Sequence, residues 1–263
     1  MSKHLEGRNA IVYGAGGGIG AAVSRTFARE GARVHLVGRT RETLQAVAEE
    51  IAATGAGAAE VAVLDALEEG AVDEHVQQVA SNAGSVDVSL NLIGRGDVQG
   101  APLHEMATED VLRAVVNGLR SNFITARAAA RRMVGQRSGV ILHLNSASGA
   151  GAMPGMGSTG PADAATESLM RYMAAELGPH GVRVCGIWTA GVAETLTPGK
   201  LTDVGGESAP APRTAEELIA GMAALRRTPK LADVAEVAAF LASDSAAGIT
   251  GTMVNVTCGL VLR

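Results

Sequence analysis

Residues 13–31 read YGAGGGIGAAVSRTFAREG, a glycine-rich turn that opens directly into a helical pattern. Just upstream, NAIVYG (9–14) is a short apolar, β-branched run of the kind that forms a buried strand. In a strand–turn–helix of this design each glycine has a task. Gly14 allows the tight turn, Gly18 lets the backbone approach a pyrophosphate, and Gly20 lets the helix pack close against the strand. Ile19 lies between the last two, where the first amides of the helix face an anion. Glycines also make ordinary turns, so the surrounding chain decides the reading.

That surrounding chain alternates. Strand-like runs occur at 9–14, 32–38, 59–65, 86–94, 139–145, 182–188 and 252–257. Helical patterns lie between them at 19–30, 41–54, 68–82, 108–134, 160–178 and 233–242. Near-continuous apolar strands alternating with helices predict an α/β fold with one doubly wound, parallel, seven-stranded sheet and helices on both faces. There is no internal repeat and no domain-sized linker, so residues 1–263 are expected to form a single domain. The loosest stretch is 195–213, TLTPGKLTDVGGESAPAPR, with a helix expected from about Thr214. A long insertion of this kind commonly covers a binding cleft, and 195–225 is assigned as a substrate lid.

Composition narrows the function. Apolar residues make up 47% of the chain but aromatic ones only 2%, so Ala, Val, Ile, Leu and Gly must build the interior. A net charge of −5 argues against nucleic acid as a partner. No uncharged apolar run reaches the ~18 residues of a membrane span. The N-terminus MSKHLEGRNAIVYG runs straight into a strand pattern without a signal peptide, and a cytoplasmic protein is expected. Cys185 and Cys258 give neither a disulfide framework nor a metal spacing; they read as small buried hydrophobes in strands, and no metal is expected.

About twenty residues beyond the glycine turn, a carboxylate would normally hold the ribose hydroxyls of NAD. The sequence has Gly38-Arg39-Thr40 there instead. A guanidinium can pair with a 2′-phosphate that a carboxylate would repel, which favours NADP(H) over NAD(H).

With these residues in place the chain resembles the short-chain dehydrogenase/reductase family over nearly its whole length. The family's TGxxxGIG loop corresponds to 13–20, its adenine-contacting aspartate to Asp65, and its NNAG motif to Asn91-Leu92-Ile93-Gly94. Its active-site asparagine corresponds to Asn117, and SDSAAGITGTMVNVTCG resembles its C-terminal segment. Thr189-Ala190-Gly191-Val192-Ala193-Glu194-Thr195 is similar to the SAGPIRT of the enoyl-acyl carrier protein reductase branch, although the phosphate loop is that of the ordinary branch. The resemblance implies a Rossmann-like dinucleotide-binding fold and a homotetramer or homodimer built on the Ala-rich helices 108–134 and 160–178.

The resemblance also locates an absence. In the family a tyrosine is the general acid/base, a lysine four residues later lowers its pKa, and a serine thirteen residues earlier orients the carbonyl. The serine corresponds to Ser146, but the tyrosine position holds Thr159 and the lysine position Asp163. The enoyl-reductase spacing gives Met156 and Asp163. Tyr13 belongs to the phosphate loop, Tyr172 to an apolar helix face, His143 to the fifth strand and His180 to a helix C-terminus, so none is a natural substitute. The candidate catalytic set is therefore Asn117, Ser146, Thr159 and Asp163. The expected function is NADP(H)-dependent oxidoreduction at a carbonyl or enoyl group, with an atypical proton-transfer site. Ile93, Met153 and Met156 suggest a hydrophobic small-molecule substrate. Two alternatives stand beside it: a dehydratase, isomerase or cyclase using Asp163, and a catalytically silent dinucleotide-binding sensor or subunit.

Overall fold

Asn9–Tyr13 (β1) is buried at all five positions, as a strand covered on both faces must be. Six more strands follow: β2 (Arg33–Gly38), β3 (Ala58–Val63), β4 (Val88–Asn91), β5 (Gly139–Ser146), β6 (Val182–Thr189) and β7 (Met253–Val256). They form one sheet in the order β3-β2-β1-β4-β5-β6-β7. Every neighbouring pair is parallel. The computed structural model describes residues 3–55 and 57–262, so both ends of the expected span 1–263 lie outside the described residues.

Among the described residues eight α-helices accompany the sheet: α1 (Gly18–Arg29), α2 (Arg41–Thr54), α3 (Glu69–Ala83), α4 (Thr108–Gln136), α5 (Thr159–Leu177), α6 (Pro198–Gly205), α7 (Pro212–Met222) and α8 (Leu231–Ala242). Alternate strand residues face opposite sides. Val12, Leu36, Leu90 and Leu142 join Phe27 of α1, Leu44 of α2 and Val234 of α8 on one face. Ile11, Tyr13, Val37 and Ile141 join Val76 of α3, Ile124 of α4 and Met170 of α5 on the other. With few aromatic side chains, alanines such as Ala126, Ala129 and Ala174 fill the helix–sheet and helix–helix contacts.

Several sequence expectations need correction. The fourth strand, read as 86–94, ends at Asn91, because the Asn91 Oδ1 accepts from the Ile93 amide (3.0 Å) and turns the chain off the sheet. The stretch 195–213 is not loose throughout: it contains α6, capped by the Thr197 hydroxyl and started by Pro198, while Pro212 starts α7. Pro198 and Pro212 are first-turn residues of these helices. Tyr172, expected on an apolar face, is 70% exposed, because α5 buries the stripe Asp163, Thr166, Glu167, Met170 and Ala174 instead. Cys185 is buried in β6, but Cys258 lies beyond β7 in a left-handed turn (φ 54°). Among the described residues no helix is long and apolar enough to cross a membrane.

Three histidines sit inside the fold. His35 and His75 meet edge to face at 6.2 Å, with Glu60 3.5 Å from His35, and His143 is buried in β5. Burial pushes His75 and His143 down to about 4 and lowers His35 as well. Their folded-state pKa values therefore lie below the unfolded value of about 6.5. Between pH 6.5 and 4 the unfolded chain binds the extra protons, so stability is lost as pH falls through that window. Urea unfolding midpoints are expected to drop from pH 7 to pH 5, and His75→Gln should flatten that slope; an equally steep slope in the variant would exclude His75 as a source.

Candidate active site

The glycine-rich loop after β1 is built by close backbone approach. Gly14 turns at φ 81°, and its amide and that of Ala15 both donate to the Val37 carbonyl (2.8 and 3.1 Å). A Cβ on Gly14 would stand 2.7 Å from the Leu92 oxygen, and one on Gly20 would collide with the Gly14 carbonyl. A Cβ on Gly18 would lie 3.1 Å from the Thr195 methyl, so the loop after β6 passes over the start of α1. Ile19 packs against the core, and no side chain caps α1. A glycine cradle under an uncapped helix N-terminus has the chemistry to receive a pyrophosphate.

The neighbouring strand ends deliver the other candidates. Arg39 is exposed beyond β2 and has no charged partner among the described residues. Asp65, half-buried after β3, accepts from the Leu67 amide at 2.9 Å. Asn91 is buried, with Nδ2 donating to Thr125 at 3.1 Å, and Gly94 is exposed beside it.

At the start of α5 the structure places Asp163 and Ser146 together. The Ser146 hydroxyl donates to Asp163 Oδ2 at 2.5 Å, and Asp163 is fully buried. Its other oxygen, Oδ1, accepts from Arg95 Nη1 at 2.7 Å. Arg95 also spans Asp97, with Nη2 2.9 Å and Nε 3.3 Å from its oxygens. Burial pushes the Asp163 carboxyl up to about 6, against the opposing pull of the Arg95 guanidinium and the Ser146 hydroxyl. Asn117 donates to the Arg95 carbonyl at 3.2 Å, so it braces the loop. Thr159 is buried, and its hydroxyl accepts from Gln99 at 3.0 Å.

Arg95, Asp97 and Gln99 are absent from the sequence-derived set. Their signal lay in GRGDVQG (94–100), a charged stretch directly after the Asn-x-x-Gly turn. This loop gathers the site: Val98 exchanges hydrogen bonds with Ser158, and the Gln99 amide donates to Val204 of α6 at 2.5 Å. Among the described residues no group of three or more His, Cys, Asp or Glu side chains is placed to hold a metal ion.

A family model described as enoyl-(acyl carrier protein) reductase matches residues 14–261. The chain belongs to the short-chain dehydrogenase/reductase family. It is 30% identical to the 3-oxoacyl-[acyl-carrier-protein] reductase FabG of Thermotoga maritima, covering 98% of this chain and 99% of that one. It is 34% identical to the L-rhamnose 1-dehydrogenase (NAD(P)(+)) of Azotobacter vinelandii, covering 97% of each. Among solved structures, an NAD⁺-bound xylitol dehydrogenase superposes with a TM-score of 0.87 at 25% identity over 98% of this chain and 100% of that one. A 7α-hydroxysteroid dehydrogenase in complex with NADH and 7-oxo glycochenodeoxycholic acid gives 0.85 at 27% identity, over 100% and 97%. These relatives are oxidoreductases whose names span acyl, sugar and steroid substrates, and the solved ones hold a nicotinamide dinucleotide.

Ser146→Ala removes the donor to a buried carboxyl oxygen. It is expected to destabilise the fold by about 1–3 kcal/mol, read in chemical denaturation. An unchanged midpoint would show that the Ser146–Asp163 bond carries no such weight.

Proposed function

We propose that this chain is an NADP(H)-dependent oxidoreductase that reduces the carbonyl or enoyl group of a hydrophobic small molecule, with Asp163 and Ser146 moving the proton. The observation that carries the reading is the 2.5 Å hydrogen bond between Ser146 Oγ and a buried Asp163 whose carboxyl is raised to about 6. A proton donor works best when its pKa lies near the operating pH.

In this reading Gly14, Gly18, Ile19 and Gly20 hold the pyrophosphate, Asp65 meets the adenine, and Asn91 and Gly94 border the nicotinamide end. Arg39, exposed and without a charged partner, pairs with a 2′-phosphate. The bound dinucleotide supplies the hydride; the rest falls on this chain's own side chains. Asp163 gives the proton on Oδ2 to Ser146 Oγ as the Ser146 hydroxyl hydrogen passes to the substrate oxygen, leaving Asp163 ionised. Thr159 braces Gln99 rather than acting as the acid, since an aliphatic hydroxyl is far too weak for that task. Ile93, Met153 and Met156 border the cleft, Met153 exposed and the others half-buried, which suits an apolar substrate. Residues 195–225, tied to the 94–100 loop through Val204, serve as its lid. Exposed Leu112, Val116 and Phe123 on α4 and Tyr172 on α5 offer a surface for a homodimer or homotetramer.

Titration of the purified protein with NADPH and NADH, followed by nicotinamide fluorescence, should show tighter binding of NADPH, and Arg39→Ala should erase the difference. NADPH oxidation over a panel of apolar ketones and enoyl thioesters should fall about tenfold per pH unit above pH 6, as Asp163 ionises. Asp163→Asn should lower it by roughly 10²-fold or more, with NADPH still bound. No binding of either dinucleotide would sink the proposal. Binding without turnover would point to a silent sensor, and turnover without a dinucleotide to a non-redox enzyme.

A further inference from the structure

Asp163 occupies the α5 position at which the family carries a cation, and the cation nearest to it comes from a different wall of the cleft. Arg95 leaves the loop after β4 and runs past Gly118 of α4, where a Cβ would stand 2.8 Å from the Arg95 Cδ. Its guanidinium then meets Asp163 with Nη1 and Asp97 with Nη2 and Nε. Only 12% of the side chain is exposed, and its backbone carbonyl is held by Asn117. The group is therefore fixed at the stem, at the backbone and along both edges of the guanidinium plane. Exposed ion pairs flex and contribute little, but a planar, desolvated fork locks direction as well as charge.

Direction matters at Asp163 because its two oxygens face different partners. Oδ1 is occupied by Arg95, and Oδ2 faces Ser146. A guanidinium on Oδ1 leaves Oδ2 as the oxygen that exchanges a proton. We propose that Arg95 is the positioning residue of the proton-transfer site: from the loop after β4 it supplies the cation that α5 lacks at position 163, and it holds the Asp163 carboxyl with Oδ2 turned to Ser146. The proposal rests on the reading of Asp163 as proton carrier. Its test does not depend on turnover.

The charged groups around Asp163 define what the test must separate. From the loop after β4 come Arg95 and Asp97, the first favouring the ionised form and the second opposing it. From α5 comes Glu167, whose Oε1 is 3.0 Å from the point beside Gly149 that also lies 2.9 Å from the Asp163 Cβ. Arg113 of α4 packs on the same loop at Gly96, 3.3 Å from where a Cβ would stand. From β5 come the uncharged Ser146 and Asn145, the latter donating to the Asp163 backbone carbonyl at 3.2 Å. Of these, Arg95 and Asp97 act with opposite sign.

The test follows the carboxyl itself. Isotope-edited infrared titration of the purified full chain, with the Asp163 band identified by its loss in Asp163→Asn, gives its midpoint directly. Arg95→Gln should move that midpoint up by about one pH unit or more, a tenfold gain in proton affinity. Asp97→Asn should move it down, and Arg95→Lys should bring it back toward the wild-type value. A midpoint that stays in place in Arg95→Gln would overturn the proposal, since a merely structural arginine changes stability without retuning the acid. If Arg95→Gln does not fold, Arg95→Met, which keeps the stem packed against Gly118, is read in its place with the same two outcomes. Where NADPH turnover is measurable, its pH profile should shift with the infrared midpoint. Shifted midpoints in proteins that never oxidise NADPH would uphold Arg95 while refuting the reductase reading.

Discussion

A parallel sheet imposes one constraint from which the site follows: every strand points the same way, so every strand ends on the same edge. The connections that leave β1, β2, β3, β4 and β5 must all depart there, since each returns to the opposite edge through a helix. That is how Gly14, Arg39, Asp65, Asn91 and Ser146, far apart in the chain, come to lie at the same end of the sheet. The glycine-rich loop after β1 adds a second closure. Because Gly20 lacks a Cβ, α1 can lean onto the Gly14 carbonyl, which fixes the first amides of the helix at the end of β1.

The chemistry of the cleft is set by where charge is buried. The wall that ordinarily carries a cation here carries a carboxylate with no exposed surface, and such a group is tolerable only when both oxygens have partners. Arg95 and Ser146 provide them from separate elements, β5 on one side and the loop after β4 on the other. The result is a charge pair of the same composition as a lysine beside an acid, but turned around in space. Desolvation outweighs the attraction of the guanidinium, which is why the carboxyl is pushed up to about 6 from the range of a surface aspartate.

What the sequence made legible was whatever a residue type reports locally. Buried strands announce themselves as β-branched runs, and Gly14 and Gly20 are the residue that their backbone and close contacts demand. Ser146 and Asp163 could be placed on β5 and α5 by the resemblance, as the counterparts of the family's serine and lysine. Arg95 could not, because its partner is 68 residues away and their meeting depends on how α4 and α5 pack, which no local pattern encodes. The helix α6 was hidden for a related reason: its proline and glycines read as breakers, although the Thr197 cap and Pro198 start a helix there. Tyr172 was misplaced because Ala-rich α5 offers no bulky stripe to mark its buried side.

The Arg95–Asp163 pair also constrains the history and future of the protein. Asp163 is fully buried and tied to Arg95 by a 2.7 Å ion pair, so losing Arg95 alone would leave a carboxylate in the interior without its cation, whereas losing Asp163 leaves Arg95 its partner Asp97. A variant could not place a lysine at 163 in one step, because two cations would then face each other. It would have to lose Arg95 first and pass through a form with a lone buried carboxylate. Strongly coupled positions of this kind create a valley between two workable arrangements. The pair at 95 and 163 is therefore coupled, and the contact that makes the buried carboxylate tolerable also entrenches it.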